Sequence, residues 1–558
     1  MFRRSNKEPQ LNMFSSPSSL LTGKSLKIYD DGNGWHNKFR QQVTSRIDED
    51  IFKPLYSSDN GTPNAPIRVL VAMMILKEAE GISDQKLFEN CRFNILTRSA
   101  IGLLNADDSL PAESTYYLFR KHVVEYAKSN GVNLFEEVFQ QVTKGQCAEF
   151  EVSGKAIRMD SKLLGSNIAW LSRYELIHES FRLFYGQVKQ TAKLDKATAK
   201  ELEDLLTLEG KKITYTCSNS EIKARLQHLG ELIYRVLALF SIADAPRYYQ
   251  TLARVFDEQY RVDENKMVIA RDREEIKSQS IQSPHDTDCT YRNKGDQQVK
   301  GYSINVTESC DDGDVLNLIG HVDVRQANTP DVDFLQDDIK KAEDVFTSKV
   351  EAAHADGAYH SPDNQAFCKD DGRNIELHLH AIQGLAGRYD LDLVDNKLVV
   401  FDTLTNLPVA CTQVIDKKGI VRWRIKLEKG YRYFSQEQVN NCLIRKKIAA
   451  TPIETLQKRN NVEATIFQLA YHYPNKKTRY RGLIRHQMWA NLRCFWVNFV
   501  RLFKYIEKVG PVTSLFGRNP ASPAILSYFG MVQTLVLGMF ISLLVRPRKN
   551  SVFFVLAN

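Results

Sequence analysis

Two stretches of strand-like sequence, far apart in the chain, each end on an aspartate. The later one is Ala353-His354-Ala355-Asp356-Gly357-Ala358-Tyr359-His360-Ser361. Small residues lead into Asp356, a glycine follows at once, and Ser361-Pro362-Asp363-Asn364 has the residues of a helix start. The segment predicts a strand ending on an acid, a tight turn and a new helix. Gly357 lets backbone or ligand come close. The earlier stretch, Lys155-Ala156-Ile157-Arg158-Met159-Asp160, roughly alternates apolar and polar residues and also stops on an acid. A carboxylate at the end of a buried strand is costly unless it meets a cation. A lone Asp-Gly pair is more often a turn or a helix cap. It is the company of a second acidic strand end that makes Asp356 a candidate site.

The rest of the chain sorts by period. Residues 1–58 read as a polar lead-in with one or two short helices. Ile67, Leu70, Val71, Met74 and Ile75 repeat at three and four, Gly81 stops that helix, and Ser83 or Asp84 caps the next. A third helix opens at Glu113-Ser114-Thr115 and carries Arg120-Lys121-His122. Residues 59–150 therefore predict a helical domain suited to DNA binding or dimerisation, and a plain bundle fits the pattern equally. A helical region runs from Trp170 to Tyr260, with a polar connector from Asp263 to Gln298. Strand patterns follow at Tyr302, Ile304 and Val306, then at Leu316, Leu318, Val322 and Val324, before a helix from about Val332 to Val345.

Beyond Asp356 the sequence is β-rich. His378 and His380 share one strand face, but no third ligand stands at metal spacing. Val421, Trp423, Ile425 and Leu427 alternate with Arg422, Arg424 and Lys426, which predicts a packed face and a basic face. A helical stretch from Glu454 carries Arg459, Glu463, Phe467 and Leu469. Lys476, Lys477, Arg479, Arg481 and Arg485, interleaved with Tyr471, Tyr473 and Tyr480, suit phosphate binding with occasional stacking. A long amphipathic helix, about Leu483 to Lys508, holds Trp489, Phe495, Trp496, Phe499 and Phe503.

A net charge of +8 and a pI near 8.8 are compatible with a nucleic-acid partner. Nine cysteines scattered without a CxxC pair exclude a disulfide framework and place the chain in a reducing cytoplasm. The polar start, Met1 to Gly23, has no apolar core of a secretory signal. The hydrophobic C-terminal tail, 511–558, contains an uncharged run at 524–545 followed by Arg546-Pro547-Arg548-Lys549. By length that run qualifies as a membrane span. Its glutamine, threonine, serines and glycines favour a buried helix pair or oligomer contact instead.

Asp160, Asp356 and Glu463 are three acids that only a fold could gather. Clustered carboxylates select hard divalent cations, Mg²⁺ or Mn²⁺, and two such ions clamp the attacking and leaving oxygens of a phosphodiester. In this order the motifs resemble the DDE transposases of bacterial insertion sequences. Gly81-Ile82-Ser83-Asp84 and Pro111-Ala112-Glu113-Ser114-Thr115 look like that family's N-terminal helical domain. The stretch from Arg158 through Asp160 to Ile168 is similar to its first-aspartate strand, and Lys300 to Val306 to its second strand. Ala355-Asp356-Gly357-Ala358-Tyr359 resembles the second-aspartate motif, Arg459 to Phe467 the glutamate helix, and Tyr480-Arg481-Gly482-Leu483 the closing segment. Two positions depart from the family pattern: Leu456 stands where a tyrosine is common and Ala470 where a lysine is common. Glu454 competes with Glu463; the offsets of Arg459 and Phe467 favour Glu463.

The resemblance implies an α/β fold with a ribonuclease-H-like mixed-sheet core over 151–510, a helical insert at about 170–298 and a β-rich insert at 368–445. It implies that Asp160, Asp356 and Glu463 hold two Mg²⁺ (or Mn²⁺). It further implies that the chain cuts DNA at the ends of its mobile element, joins the 3′ ends to target DNA, and works as a homodimer on DNA. Arg422, Arg424, Lys426, Arg459, Lys476, Lys477, Arg479, Arg481 and Arg485 are then candidate DNA contacts, and the place of work is the cytoplasm, at the nucleoid. The alternatives are a non-cutting DNA-binding derivative and a metal-dependent nuclease without strand transfer.

Overall fold

Both aspartates lie on or beside one mixed sheet. Its strands are β1 (Ala156–Gly165), β2 (Thr290–Lys294), β3 (Gln297–Ser309), β4 (Ile319–Gln326), β5 (Ala352–Ala355) and β6 (Glu376–Leu379). The computed structural model describes residues 1–509 apart from 7–14, 190–193, 208–209, 241–246, 296, 371, 383, 385, 395–396, 416–418 and 471–476. Strand β3 pairs antiparallel with β1 on one side and with β2 and β4 on the other. Strand β5 joins the far side of β1 in parallel, and β6 adds in parallel to β5. The order across the sheet is therefore β4–β3–β1–β5–β6, with β2 beside the first residues of β3.

The centre of the sheet is covered on both faces. From Gly301 to Ser309 every residue of β3 is buried, including Asn305, Thr307 and Glu308. A strand buried on both sides loses the strict alternation of a half-exposed one. Between β4 and β5 runs the helix Leu335–Phe346, which buries Leu335, Ile339, Ala342, Val345 and Phe346. Ser361 caps the next helix, Pro362–Lys369, by accepting from the Asn364 amide, with proline in the first turn, as its sequence predicts.

The N-terminal helices share the sheet's core. Helix Ile67–Glu80 buries every residue but the last, which puts it in the middle of a packed unit rather than at a surface. Gly81 ends it in the left-handed region at φ 63°, and Ser83 caps the following helix, Asp84–Phe93. The segment expected as a polar lead-in belongs to this core too. Phe39, Val43, Ile47 and Phe52 are fully buried. Phe39 meets Phe499 edge-on at 5.1 Å, and Phe139 meets Phe495 at 5.2 Å. The lead-in has few apolar residues, but each of these four faces inward, so its low apolar density hid its role.

Each insert has a core of its own. The helical insert packs Ile177, Phe181, Leu229, Ile233, Leu252 and Val255 together. A short ladder, Tyr260–Val262 with Val268–Ala270, follows its helices, and the polar connector beyond gives β2 to the main sheet. In the second insert, Glu376–Leu379 is likewise a main-sheet strand. What remains is two three-stranded sheets, Tyr389–Val394 with Lys397–Asp402 and Leu407–Val409, and Cys411–Ile415 with Val421–Lys426 and Tyr431–Ser435. The helix Gln436–Ala450 closes it. Along Val421–Lys426, Trp423 and Ile425 are buried while Arg422 and Lys426 are exposed, the alternation expected. The run 524–545 lies outside the described residues; among those described, no helix is long and apolar enough to cross a membrane.

Candidate active site

Strand register brings the two aspartates side by side. In the parallel pair β1–β5, Arg158 stands opposite His354. Two residues further along each chain lie Asp160 and Asp356. Asp160 Oδ1 accepts the Ser161 amide at 2.9 Å, and Asp356 Oδ1 accepts the Gly357 amide at 2.6 Å. The backbone at Gly357 passes so close to the Ala381 carbonyl, just beyond β6, that a β-carbon there would collide with it. Glycine after the acid is thus a matter of space, not of φ.

The third acid arrives on the helix Asn460–Ala470. Val462, Thr465, Ile466 and Leu469 are its buried face, and Ile466 and Leu469 look toward Leu164, Ile304 and Trp489. That face fixes the helix's rotation and leaves Glu463 at the edge, toward the strand ends. Arg459 Nη2 lies 3.1 Å from Asp160 Oδ2, 3.8 Å from Asp356 Oδ2 and 3.4 Å from Glu463 Oε1. One nitrogen therefore touches all three carboxylates. Glu454 is exposed on a separate short helix, Ile453–Gln457.

Electrostatics follow burial. Burial pushes the Asp160 carboxyl above the usual range, Arg459 and the Ser161 amide oppose that, and Asp356 adds to it. Burial works against the Arg459 charge as well, but Asp160 and Asp356 outweigh it and hold the guanidinium above its ordinary value. Three hard oxygen donors with no thiol or imidazole among them are a set that fits Mg²⁺ or Mn²⁺.

Beneath the acids is an ionic cluster that the sequence did not single out. Glu308, on β3, has a side chain with no solvent exposure. Its Oε1 accepts Arg158 Nε at 2.6 Å; its Oε2 takes Arg501 Nη1 at 2.7 Å and Thr465 Oγ1 at 2.8 Å. Arg158 also donates to the Lys458 carbonyl at 3.3 Å, beside Arg459. The cluster thus ties β1, β3, the glutamate helix and the long helix Leu483–Val509 together behind the site. Burial disfavours the Glu308 charge, yet Arg501 and Arg158 together hold its carboxyl below the usual range. Its one sequence signal was an acid at an inward position two residues past Val306.

The other candidate residues divide. Arg422, Arg424 and Lys426 sit on the outer face of their strand, with Arg424 over the Tyr431 ring at 4.7 Å. Lys476, Tyr471 and Tyr473 lie outside the described residues. Lys477 donates to the Ile168 carbonyl at 3.1 Å and Arg481 to the Asn167 carbonyl at 2.6 Å. Arg479 donates to the Ile82 carbonyl at 2.7 Å and to that of Gly81. These three fasten the loop after β1 and the N-terminal helices, a use of cations that spacing cannot reveal. Arg485 is exposed and lines a cavity of about 380 Å³ with Tyr117, Arg120 and Lys121. Tyr480 bonds Glu78 through its hydroxyl. His378 stacks on His354 with ring centres 4.7 Å apart, and it belongs to no ligand cluster among the described residues.

Residues 29–122 match the family model described as Transposase domain (DUF772). No curated protein matches the chain. The match covers the N-terminal helices that pack on the sheet, and it supports a transposase role with DNA as the implied partner.

Proposed function

We propose that this chain, carrying a transposase-domain match at residues 29–122, is a DDE transposase with a ribonuclease-H-like core. One observation carries the proposal: a single Arg459 nitrogen within 4 Å of Asp160, Asp356 and Glu463, acids drawn from a strand, a strand end and a late helix. The strand order β4–β3–β1–β5–β6, antiparallel on one side of β1 and parallel on the other, supports the core assignment. Asp160, Asp356 and Glu463 would hold two divalent ions. When bound, these supply an activated water and neutralise charge at the phosphodiester.

The chain's own contribution is placement. Asp160 is fixed by β1 and Asp356 by the turn at Gly357, so their carboxylates start in position. Arg459 gathers the three acids against their mutual repulsion, and the Glu308 cluster holds the helix that brings Glu463. Hydrolysis at the element's end frees a 3′-OH, and the same carboxylates then align that hydroxyl with target DNA. The experiment is incubation of the protein with a plasmid carrying the DNA that flanks its gene. Nicks with 3′-OH ends at fixed positions, in Mg²⁺ or Mn²⁺ and absent in EDTA, are the expected result. Binding without any metal-dependent nick would establish the non-cutting alternative, and nicks without joined products would establish a plain nuclease.

The basic face of the second insert gives a separate prediction. Changing Arg422, Arg424 and Lys426 together to Gln weakens binding to every DNA sequence alike. It also flattens the slope of log affinity against log salt by roughly 0.9 for each phosphate that is no longer neutralised. The packed face, with Trp423 and Ile425, is untouched, so folding is preserved. Anisotropy titrations across a salt series read both quantities. An unchanged slope would move the DNA path off this face.

A further inference from the structure

On the opposite flank of the sheet, one buried cluster has no part in the reading above. His321 and Asp323 lie two apart on β4 and so share a face. Asp338, on the helix Leu335–Phe346, packs over them. One ligand atom from each, an imidazole nitrogen and two carboxylate oxygens, falls within 4.8 Å of the others. His321 and Asp338 are 5% and 0% exposed.

The hydrogen bonds around the cluster stop short of completing it. Asp338 Oδ2 accepts Asn305 Nδ2 at 2.5 Å and Thr307 Oγ1 at 3.5 Å. Asp338 Oδ1, equally buried, has no hydrogen-bond partner among the described residues, and neither has His321 Nδ1. Oδ1 stands 3.8 Å from His321 Nε2, too far for a hydrogen bond. A carboxylate oxygen left bare in the interior is costly. Asp323 and Asp337 both take Arg325, at 2.7 and 3.0 Å. Arg325 is thus shared between two carboxylates and pairs with neither oxygen of Asp338, and a divalent cation would supply the positive charge that Asp338 lacks.

We propose that His321, Asp323 and Asp338 form a second, structural metal site for a divalent transition ion, with Zn²⁺ the best match. Mixed imidazole and carboxylate donors suit zinc, at bond lengths of about 2.0–2.2 Å, with water as a fourth ligand. Closing on the ion draws the three side chains together by about an ångström. Arg325 behind Asp323 and Asn305 behind Asp338 are the outer partners that orient such ligands. The ion pins the helix Leu335–Phe346 to β4. Asn305 in turn accepts the hydroxyl of Tyr359, so the site is linked to the turn that follows Asp356.

The test compares tag-free full-length wild type with His321→Ala, Asp338→Asn and Asp323→Asn. Each protein is stripped with chelator, loaded with Zn²⁺ alone, exchanged into metal-free buffer and assayed by elemental analysis and thermal melting. Wild type should retain about one equivalent more than any variant, and Zn²⁺ should raise its Tm by several degrees while leaving the variants' Tm unmoved. The nine thiols are present in all four proteins, so any zinc they hold cancels in the comparison. Asp338→Asn keeps the bonds to Asn305 and Thr307 available, and Asp323 is only partly buried, so these variants report even where His321→Ala fails to fold. Equal retention by all four proteins, or a wild-type Tm indifferent to Zn²⁺, would overturn the site. Neither readout depends on DNA cleavage, so the result stands apart from the function proposed for Asp160, Asp356 and Glu463.

Discussion

Asp356→Asn lowers metal-dependent DNA cleavage by roughly a thousandfold or more and leaves DNA affinity within a factor of a few. The change removes one negative charge from the three-acid cluster and keeps the size of the side chain. It also keeps the local fold, because an amide oxygen can accept the Gly357 amide that Asp356 Oδ1 accepts at 2.6 Å. Asp356 is 40% exposed at its side chain, so little packing depends on it. Plasmid nicking in Mg²⁺ measures the first quantity, anisotropy in EDTA the second, and an unchanged melting temperature excludes unfolding as the cause. Cleavage near the wild-type rate would remove Asp356 from the chemistry and with it the three-acid reading.

The second large effect is on stability. Glu308→Ala costs about 3–5 kcal/mol, because it leaves Arg158 and Arg501 facing each other with no anion between them. Glu308→Gln keeps the volume and a hydrogen-bond acceptor but not the charge, and falls between alanine and wild type. Urea unfolding with a constant slope reads the difference. The sign with pH follows from the depressed carboxyl. Its stabilisation is fully present above the unfolded value of about 4.3 and is lost as pH falls through the lower folded value. Wild type therefore loses stability in acid more steeply than Glu308→Gln, and the two curves converge at low pH. Parallel curves would mean that Glu308 is not ionised in the folded protein.

Local periodicity made much of this fold legible. The stop at Gly81, the cap at Ser361 and the alternation along Val421–Lys426 depend on neighbours in sequence, and each is found. What failed depends on partners far away. Strand Thr290–Lys294 is a short edge piece, so it lacks the apolar run that marks a central strand, while the strand pattern around His378 is found but carries no sign of which sheet it joins. Phe39 is one aromatic in a polar stretch until Phe499 arrives beside it. Glu308 shows in sequence only as an acid at an inward strand position; its meaning lies in Arg158 and Arg501. Lys477, Arg479 and Arg481 each reach a backbone carbonyl as well, a structural contact that composition does not record. The acids were visible as candidates because strands and a helix face have local signatures, although Asp160 stands in the middle of β1 and not at the strand end its sequence suggests, and the place of Arg459 at their centre required three dimensions.

The Phe39–Phe499 and Phe139–Phe495 contacts also set a clock. The helix that carries Phe39 is made long before the aromatic wall it packs against. At about 5–20 residues per second, that wall leaves the ribosome on the order of half a minute to a minute and a half after Phe39 does. Through that interval the first helices carry an uncovered apolar face, and loop closure over most of the chain must precede its burial. The late arrival of Leu483–Val509 makes it the keystone of synthesis as well as of packing. A nascent chain that stops before it has every acid of the site and no completed core to hold them.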